Sequence, residues 1–329
     1  MTEKPMHAQA RACANIALAK YWGKADLKHN VPAVPSISLT LDQLLTETEV
    51  LFDPALDEDL VRLDGRRATE SETRRVVEML DRVRREARLR VRARVSSRNH
   101  FPTAAGLASS ASGFAALAGA ACRAAGLRSS PKALSALARA SSASAARSIY
   151  GGFVELPAGQ KGDRDLCARQ VAPENHWNLR LVVALTEPGP KEVGSTEGME
   201  RSRKTSPYYE AWIEQAPRWA RKVKRAIKDR ELDALGVAME ESTLAFHCSA
   251  LTAQPPIFYW APATLAALQT VRDLRSRGVS VWATMDAGPH VKALCERNDA
   301  VRVRQALDRT EGVRRTWIAK PGPGIEVRS

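Results

Sequence analysis

Asn-His-Phe-Pro-Thr-Ala-Ala-Gly-Leu-Ala-Ser-Ser-Ala-Ser-Gly-Phe, residues 99–114, decides how this chain of 329 residues is read. The run leaves a strand-like segment and opens a long stretch of very small residues that predicts a helix. Gly106 lets backbone come close to a ligand, and Ser109 and Ser110 stand where the first helical N–H groups lack partners. A helix N-terminus with exposed amides and hydroxyls is an anion site, and the natural anion for such a loop is a nucleotide phosphate. The spacing is neither Gly-x-x-x-x-Gly-Lys-Ser/Thr nor Gly-x-Gly-x-x-Gly, which sets aside the P-loop and dinucleotide-binding readings. The plainer alternative is a tight strand-to-helix turn capped by serines. Other segments have to decide between them.

Working outward, Ser36–Leu41 alternates as a strand ending at Asp42. Residues 74–87 place Val76, Leu80, Val83 and Ala87 on one side of a helix, and residues 88–95 alternate arginine with apolar side chains as a half-buried strand. The helix opened by Ser109 runs to about Ala125, with Gly126 in the C-cap position. Ser130 and Pro131 form an N-cap and N1 pair for a second helix through about Ser148. Leu179–Leu185 reads as a buried strand, and the Pro-Gly-Pro break at 188–190 predicts a boundary between domains at 1–187 and 188–329. Helices follow near 206–228, 231–246 and 262–277, the last stopping at Gly278. Val281, Ala283 and Met285 then alternate into a strand that delivers Asp286. Strands and helices mixed in this order argue for an α+β fold with antiparallel neighbours.

The chain is 44% hydrophobic and 26% charged, as in globular proteins, and carries a formal charge of +13. Such a charge attracts polyanions, so nucleic acid has to be considered. The basic residues fall on periodic outer faces, as in 88–95 and around Trp219, Val223 and Ile227, without the interleaved aromatics of single-strand readers. We therefore expect solvated faces, no nucleic-acid partner, and steering of a small anionic substrate. No apolar run reaches the ~18–20 residues of a membrane span. The first residues lack a hydrophobic signal core, so the expected location is the cytoplasm. Cys13, Cys122, Cys167, Cys248 and Cys295 are scattered and form no paired motif, which reads as reduced thiols.

Several further segments look chemical. Lys20, Tyr21 and Lys24 crowd a short span ending near Gly23, where ammonium groups and a phenol can hold a phosphate. Ser144 and Arg147 share a helix face, with Ser142 off it unless the helix breaks there. Arg147 has no carboxylate nearby in sequence, so a bidentate anion or plain solvent is its partner. Gly194-Ser-Thr-Glu-Gly-Met199 places hydroxyls in a loop between glycines. Asp286, before Ala287-Gly288-Pro289, is a turn residue or, if a substrate hydroxyl meets it, a general base.

Together these segments resemble the mevalonate diphosphate decarboxylases, within the superfamily of galactose, homoserine, mevalonate and phosphomevalonate kinases. The resemblance runs nearly end to end, through Lys-Tyr-Trp-Gly-Lys (20–24), Pro-Ser-Ile-Ser-Leu-Thr-Leu-Asp (35–42) and the 99–110 loop. It continues through Arg-Ser-Ile-Tyr-Gly-Gly-Phe (147–153), Gly-Ser-Thr-Glu-Gly-Met (194–199), Phe-His-Cys-Ser-Ala-Leu (246–251) and Met-Asp-Ala-Gly-Pro (285–289). The chain departs from the family pattern at Ser141, Ala143 and Ala146, and at His290 where asparagine is usual.

The resemblance implies a two-domain α+β fold, with an N-terminal ribosomal-protein-like nucleotide domain and a C-terminal ferredoxin-like domain that supplies Asp286. It implies ATP-dependent decarboxylation of mevalonate 5-diphosphate, with ATP and Mg2+ required, and a homodimer. Asp286, Lys24 and Arg147 would be catalytic, Lys24 keeping Asp286 ionised and Arg147 fixing the substrate carboxylate. Tyr21, Lys24, Ser142, Ser144, Arg147 and Thr196 would bind substrate. Asn99, Ala105, Gly106, Leu107, Ala108, Ser109 and Ser110 would hold the nucleotide, with Ser109 or Ser110 on Mg2+. A mevalonate 5-phosphate decarboxylase, a mevalonate 3-kinase and, more remotely, a basic nucleic-acid-binding module are the competing readings.

Overall fold

A computed structural model describes residues 6–101, 109–186 and 192–328. Two long antiparallel strands, β1 (Met6–Ala19) and β4 (Ser36–Asp53), organise an eight-stranded sheet. A small ribbon of β2 (Lys24–Asp26) and β3 (Val31–Pro32) lies between them in sequence. Beyond β4 come β7 (Arg92–Asn99), β5 (Leu60–Leu63) and β6 (Arg66–Arg67), while β8 (Phe153–Leu156) pairs the first half of β4 and carries β9 (Arg169–Ala172). The strand expected at 36–41 does not stop at Asp42. Leu44, Thr46, Thr48, Val50 and Phe52 continue a buried period of two, which the threonines disguise in sequence.

A register break between Cys13 and Asn15, opposite Leu45 and Thr40, bulges this pair and turns its apolar side over. Before the break, Ala8, Ala10, Val50 and Phe52 pack against α1 (Glu70–Ala87) and α2 (Ser109–Ala124). Beyond it, Ile16, Leu18, Ile37 and Leu39 pack against α5 (Tyr209–Asp229) and α6 (Leu232–Leu251). The sheet thus serves two cores.

Helix boundaries follow their caps. α1 begins a turn before the apolar pattern because Thr69 and Glu72 form a capping box. Arg88 closes it in the left-handed conformation (φ 54°), so the arginine-faced strand lies at 92–99 rather than 88–95. α2 ends as expected, with Gly126 at φ 76° and the Leu127 N–H returning to the Cys122 carbonyl at 2.9 Å. α3 (Pro131–Ser141) starts under the Ser130 cap but does not run to Ser148. It breaks at Ser142, whose backbone is extended, and a 3-10 turn takes over from Ala143 to Ile149.

A second, antiparallel sheet has the order β11 (Val281–Met285), β12 (Val291–Glu296), β10 (Leu179–Leu185), β13 (Arg315–Ala319). Leu181, Val183 and Leu294 share the core of α5 and α6. The opposite face, with Val182, Ala283 and Val291, is covered by α7 (Pro262–Ser276) and α8 (Ala300–Asp308). The chain ends on β14 (Glu326–Arg328), which returns to pair β1 in the first sheet. α6 packs against both β1 and β11, and this places the ends of those two strands together.

Candidate active site

Lys20 directly follows β1 and Asp286 directly follows β11, so the packing on α6 brings them into contact. The Lys20 backbone N–H donates to the Ser242 hydroxyl of α6 at 3.0 Å, which fixes where the side chain starts. Its ammonium donates to Asp286 Oδ1 at 2.7 Å, and the Lys292 ammonium, from β12, donates to Asp286 Oδ2 at 3.1 Å. Both lysine side chains are 2% exposed, whereas the Asp286 side chain is 28% exposed. Burial works to raise the Asp286 carboxyl, but the two ammonium groups hold it far below the usual carboxylate range. Burial pulls Lys20 down to about 8 against the pull of Asp286. Asp286 is therefore a fixed carboxylate with one side turned to a cavity.

That cavity measures about 830 Å³ and is lined by Lys20, Tyr21, Lys24, Ser110, Arg147 and Thr196, among others. Lys24 does not pair with Asp286, contrary to expectation. Its ammonium donates to Asn30 Oδ1 at 2.7 Å and Thr196 Oγ1 at 3.0 Å, because β2 carries it away from the strand end that holds Lys20. Burial and the neighbouring Arg75 guanidinium lower it to about 8. The cation that keeps Asp286 ionised is Lys20, with Lys292 behind it.

Arg147 is 2% exposed and its hydrogen bonds go to neutral groups. It donates to the Ser36 hydroxyl at 2.6 Å, the Ser38 hydroxyl at 3.0 Å and Asn15 Oδ1 at 3.2 Å. Asn15 in turn donates to the Ser144 carbonyl and the Ser148 hydroxyl. Burial lowers the guanidinium to about 10, and Asp286 opposes that fall. The positive charge on the cavity wall is thus held in place without being neutralised. The break at Ser142 leaves the Ser142 and Ser144 hydroxyls 3.1 Å apart, and both residues line the cavity. The buried Tyr21 hydroxyl has no hydrogen-bond partner among the described residues, and burial pushes it up.

Gly194–Met199 is not a loop. Gly194 caps α4 (Ser195–Thr205), so Thr196 stands in a first helical turn facing Lys24. The second glycine serves packing: a Cβ at Gly198 would meet the Tyr259 hydroxyl at 2.6 Å and Trp22 at 2.9 Å. Of the expected nucleotide residues, Ala105, Gly106, Leu107 and Ala108 lie outside the described residues, as does the 188–190 break. Among those described, Ser110 lines the cavity and Ser109 does not. Asn99 is tied away from it, donating to Asp64 and accepting from Thr46 at 2.6 Å.

Sequence reading missed Lys292, Asn15, Ser36 and Ser38. A lysine in the buried run Val-Lys-Ala-Leu-Cys, with no acid beside it, was the available signal for Lys292. Ser36 and Ser38 share a strand face and supply the hydroxyls that Arg147 needs. His290 is buried and accepts the Thr186 N–H at Nδ1, while the Thr186 and Thr264 hydroxyls donate to the Pro289 carbonyl. The turn carrying Asp286 is clasped from two sides.

Comparison with known proteins finds relatives over nearly the whole chain. Residues 12–168 match the profile of the diphosphomevalonate decarboxylase-like N-terminal domain, and residues 181–318 that of the mevalonate 5-diphosphate decarboxylase C-terminal domain. The chain belongs to the diphosphomevalonate decarboxylase family. The human diphosphomevalonate decarboxylase is 37% identical over 310 residues, covering 88% of this chain and 77% of the human one. The solved mevalonate diphosphate decarboxylase from Enterococcus faecalis is 40% identical with a TM-score of 0.91, covering 99% of this chain and 100% of that one. The enzyme from Staphylococcus aureus is 36% identical with a TM-score of 0.92, covering 99% of each chain. A complex of MDDEF with MVAPP, AMPPCP and magnesium is 41% identical with a TM-score of 0.92, over 99% of this chain and 100% of that one. The two-domain α+β expectation holds within this decarboxylase family. Among the described residues no helix is long and apolar enough to cross a membrane.

Proposed function

We infer that this chain catalyses the ATP-dependent decarboxylation of mevalonate 5-diphosphate to isopentenyl diphosphate, releasing ADP, phosphate and CO2. The observation that carries this reading is the Asp286 carboxylate, held on both oxygens by ammonium groups and open toward a cation-lined cavity. A tertiary hydroxyl is a poor leaving group, so ATP has to phosphorylate it. Asp286 orients that hydroxyl as a hydrogen-bond acceptor, and Lys20 beside it meets the incoming negative charge. A carboxylate held this far below its usual range is a weak base, which favours orientation over full proton removal.

As phosphate leaves, positive charge develops at the tertiary carbon, and loss of the carboxylate as CO2 forms the double bond. Arg147 presents an uncompensated guanidinium to that carboxylate, with Ser144 beside it. Lys24, Thr196 and Ser142 line the same cavity and offer donors for the diphosphate, with the Tyr21 ring beside them. Ser110, at the N-terminus of α2 on the cavity wall, suits nucleotide phosphates or their Mg2+. When bound, Mg2+ supplies charge neutralisation between those phosphates.

We keep the domain division at 187/188 as a proposal, together with a homodimer, which sedimentation would test, and a cytoplasmic location. The substrate is tested by incubating the purified chain with ATP, Mg2+ and mevalonate, its 5-phosphate or its 5-diphosphate, and following products by phosphorus NMR. Isopentenyl diphosphate from the 5-diphosphate alone is expected. Product from the 5-phosphate instead, or a stable 3-phosphate, would replace this reading with that of a related decarboxylase or kinase.

A further inference from the structure

The two lysines on Asp286 are not equivalent. Lys20 lies on the cavity wall, while Lys292 does not line the cavity and meets Asp286 from behind. Lys292 sits in a strand whose other side chains from Val291 to Cys295 are apolar and buried. In register it stands opposite Val183 and Thr284, on the face whose next inward residue, Leu294, belongs to the core under α6. An ammonium in such surroundings is costly to bury, and its described ion pair is with Asp286. The neighbouring strand positions are filled by apolar side chains, so burial by itself does not account for a lysine there.

We propose that Lys292 is a positioning residue for the decarboxylation, acting through Asp286 by fixing the carboxylate plane so that its free side meets the substrate hydroxyl. With Oδ1 on Lys20 and Oδ2 on Lys292, rotation about the carboxylate bond would break an ion pair either way. The lone-pair directions left over are therefore constant, and the hydroxyl is met in one orientation. Lys292 also sets the charge of its neighbourhood, where Lys20, Asp286, Arg147 and the neutral His247 face one another. Its positive charge repels that of Lys20 and so works to lower the Lys20 ammonium, against the pull of Asp286. This assignment rests on the decarboxylase reading above.

The test compares wild type with Lys292→Met, Lys292→Gln and Lys292→Arg in kcat, both KM values and the pH profile of kcat. Lys292→Met is expected to lower kcat about 10- to 100-fold with both KM values within about threefold, since the binding wall is untouched. Losing a neighbouring cation favours the Lys20 ammonium, so the alkaline limb of kcat moves up by about half a pH unit or more. Lys292→Arg should restore most of kcat and the wild-type limb. If Lys292→Met does not fold, Lys292→Gln, which keeps a donor without charge, is expected to show the same upward limb. Wild-type kcat and an unmoved limb in the neutral variants would overturn the assignment. So would a loss of kcat with an unmoved limb and no rescue by arginine, which marks a structural role only. Wild type inactive in the same assay would instead bring down the decarboxylase reading itself, and this assignment with it.

Discussion

Lys20 and Asp286 are 266 residues apart in sequence, yet the ammonium of one lies 2.7 Å from a carboxylate oxygen of the other. The contact joins the end of a strand in the first sheet to the end of a strand in the second, with α6 as the shared support. Lys20, 2% exposed, has its ion pair in Asp286, which Lys292 holds as well. The two halves of the chain therefore complete a charge pair at the place where the cavity opens.

Replacing Asp286 by asparagine keeps the shape but removes the charge that orients the hydroxyl. kcat should fall about a thousandfold while the ATP dissociation constant changes less than about threefold. Steady-state kinetics and a nucleotide titration check both; near-normal turnover would remove Asp286 from the mechanism.

Turnover should decline as pH rises through about 8, where the buried Lys20 ammonium gives up its proton. The sign follows from burial, which disfavours the charged form and lowers a lysine. The pH profile of kcat under saturating substrate measures it, and a plateau extending well past that value would contradict it.

Lys24 holds Asn30 and Thr196 at the cavity wall rather than Asp286, so its substitution should act on binding. Lys24→Met removes a charged donor worth about 1.5–3 kcal/mol to an anion, and KM for the 5-diphosphate should rise about 10- to 100-fold. kcat should change much less. An equal loss in kcat would place Lys24 in the chemical step.

His247 is 1% exposed, its Nε2 has no partner among the described residues, and burial, followed by Lys20, pushes it down to about 3 from 6.5. Between those values the unfolded chain binds the proton and the folded chain does not. Stability therefore rises with pH through that window and is lost as pH falls below 6.5. The slope reaches ~1.4 kcal/mol per pH unit, so thermal unfolding midpoints should drop on acidification, and less so for His247→Leu. Equal acid sensitivity in both would contradict it.

Much of this was legible in the chain because local rules were obeyed. The Ser130-Pro131 start, the Gly126 stop and the Leu179–Leu185 strand fall where capping and periodicity put them. Asp286 could be placed at a strand end from the alternation of Val281, Ala283 and Met285. What escaped was non-local. Lys20 rather than Lys24 reaches Asp286 because a strand end and a ribbon point their side chains differently, and spacing alone does not tell them apart. Ser36 and Ser38 read as ordinary strand alternation until Arg147 folds against them. The glycines of 194–199 suggested a loop, whereas one caps a helix and the other makes room for Trp22 and Tyr259.

The most direct measurement is the ratio of CO2 trapped to ADP released by the purified chain supplied with mevalonate 5-diphosphate, ATP and Mg2+. One CO2 for each ADP, with both lost together in Asp286→Asn, is the result the account predicts. ADP released without CO2, or CO2 formed at an undiminished rate by Asp286→Asn, would contradict it.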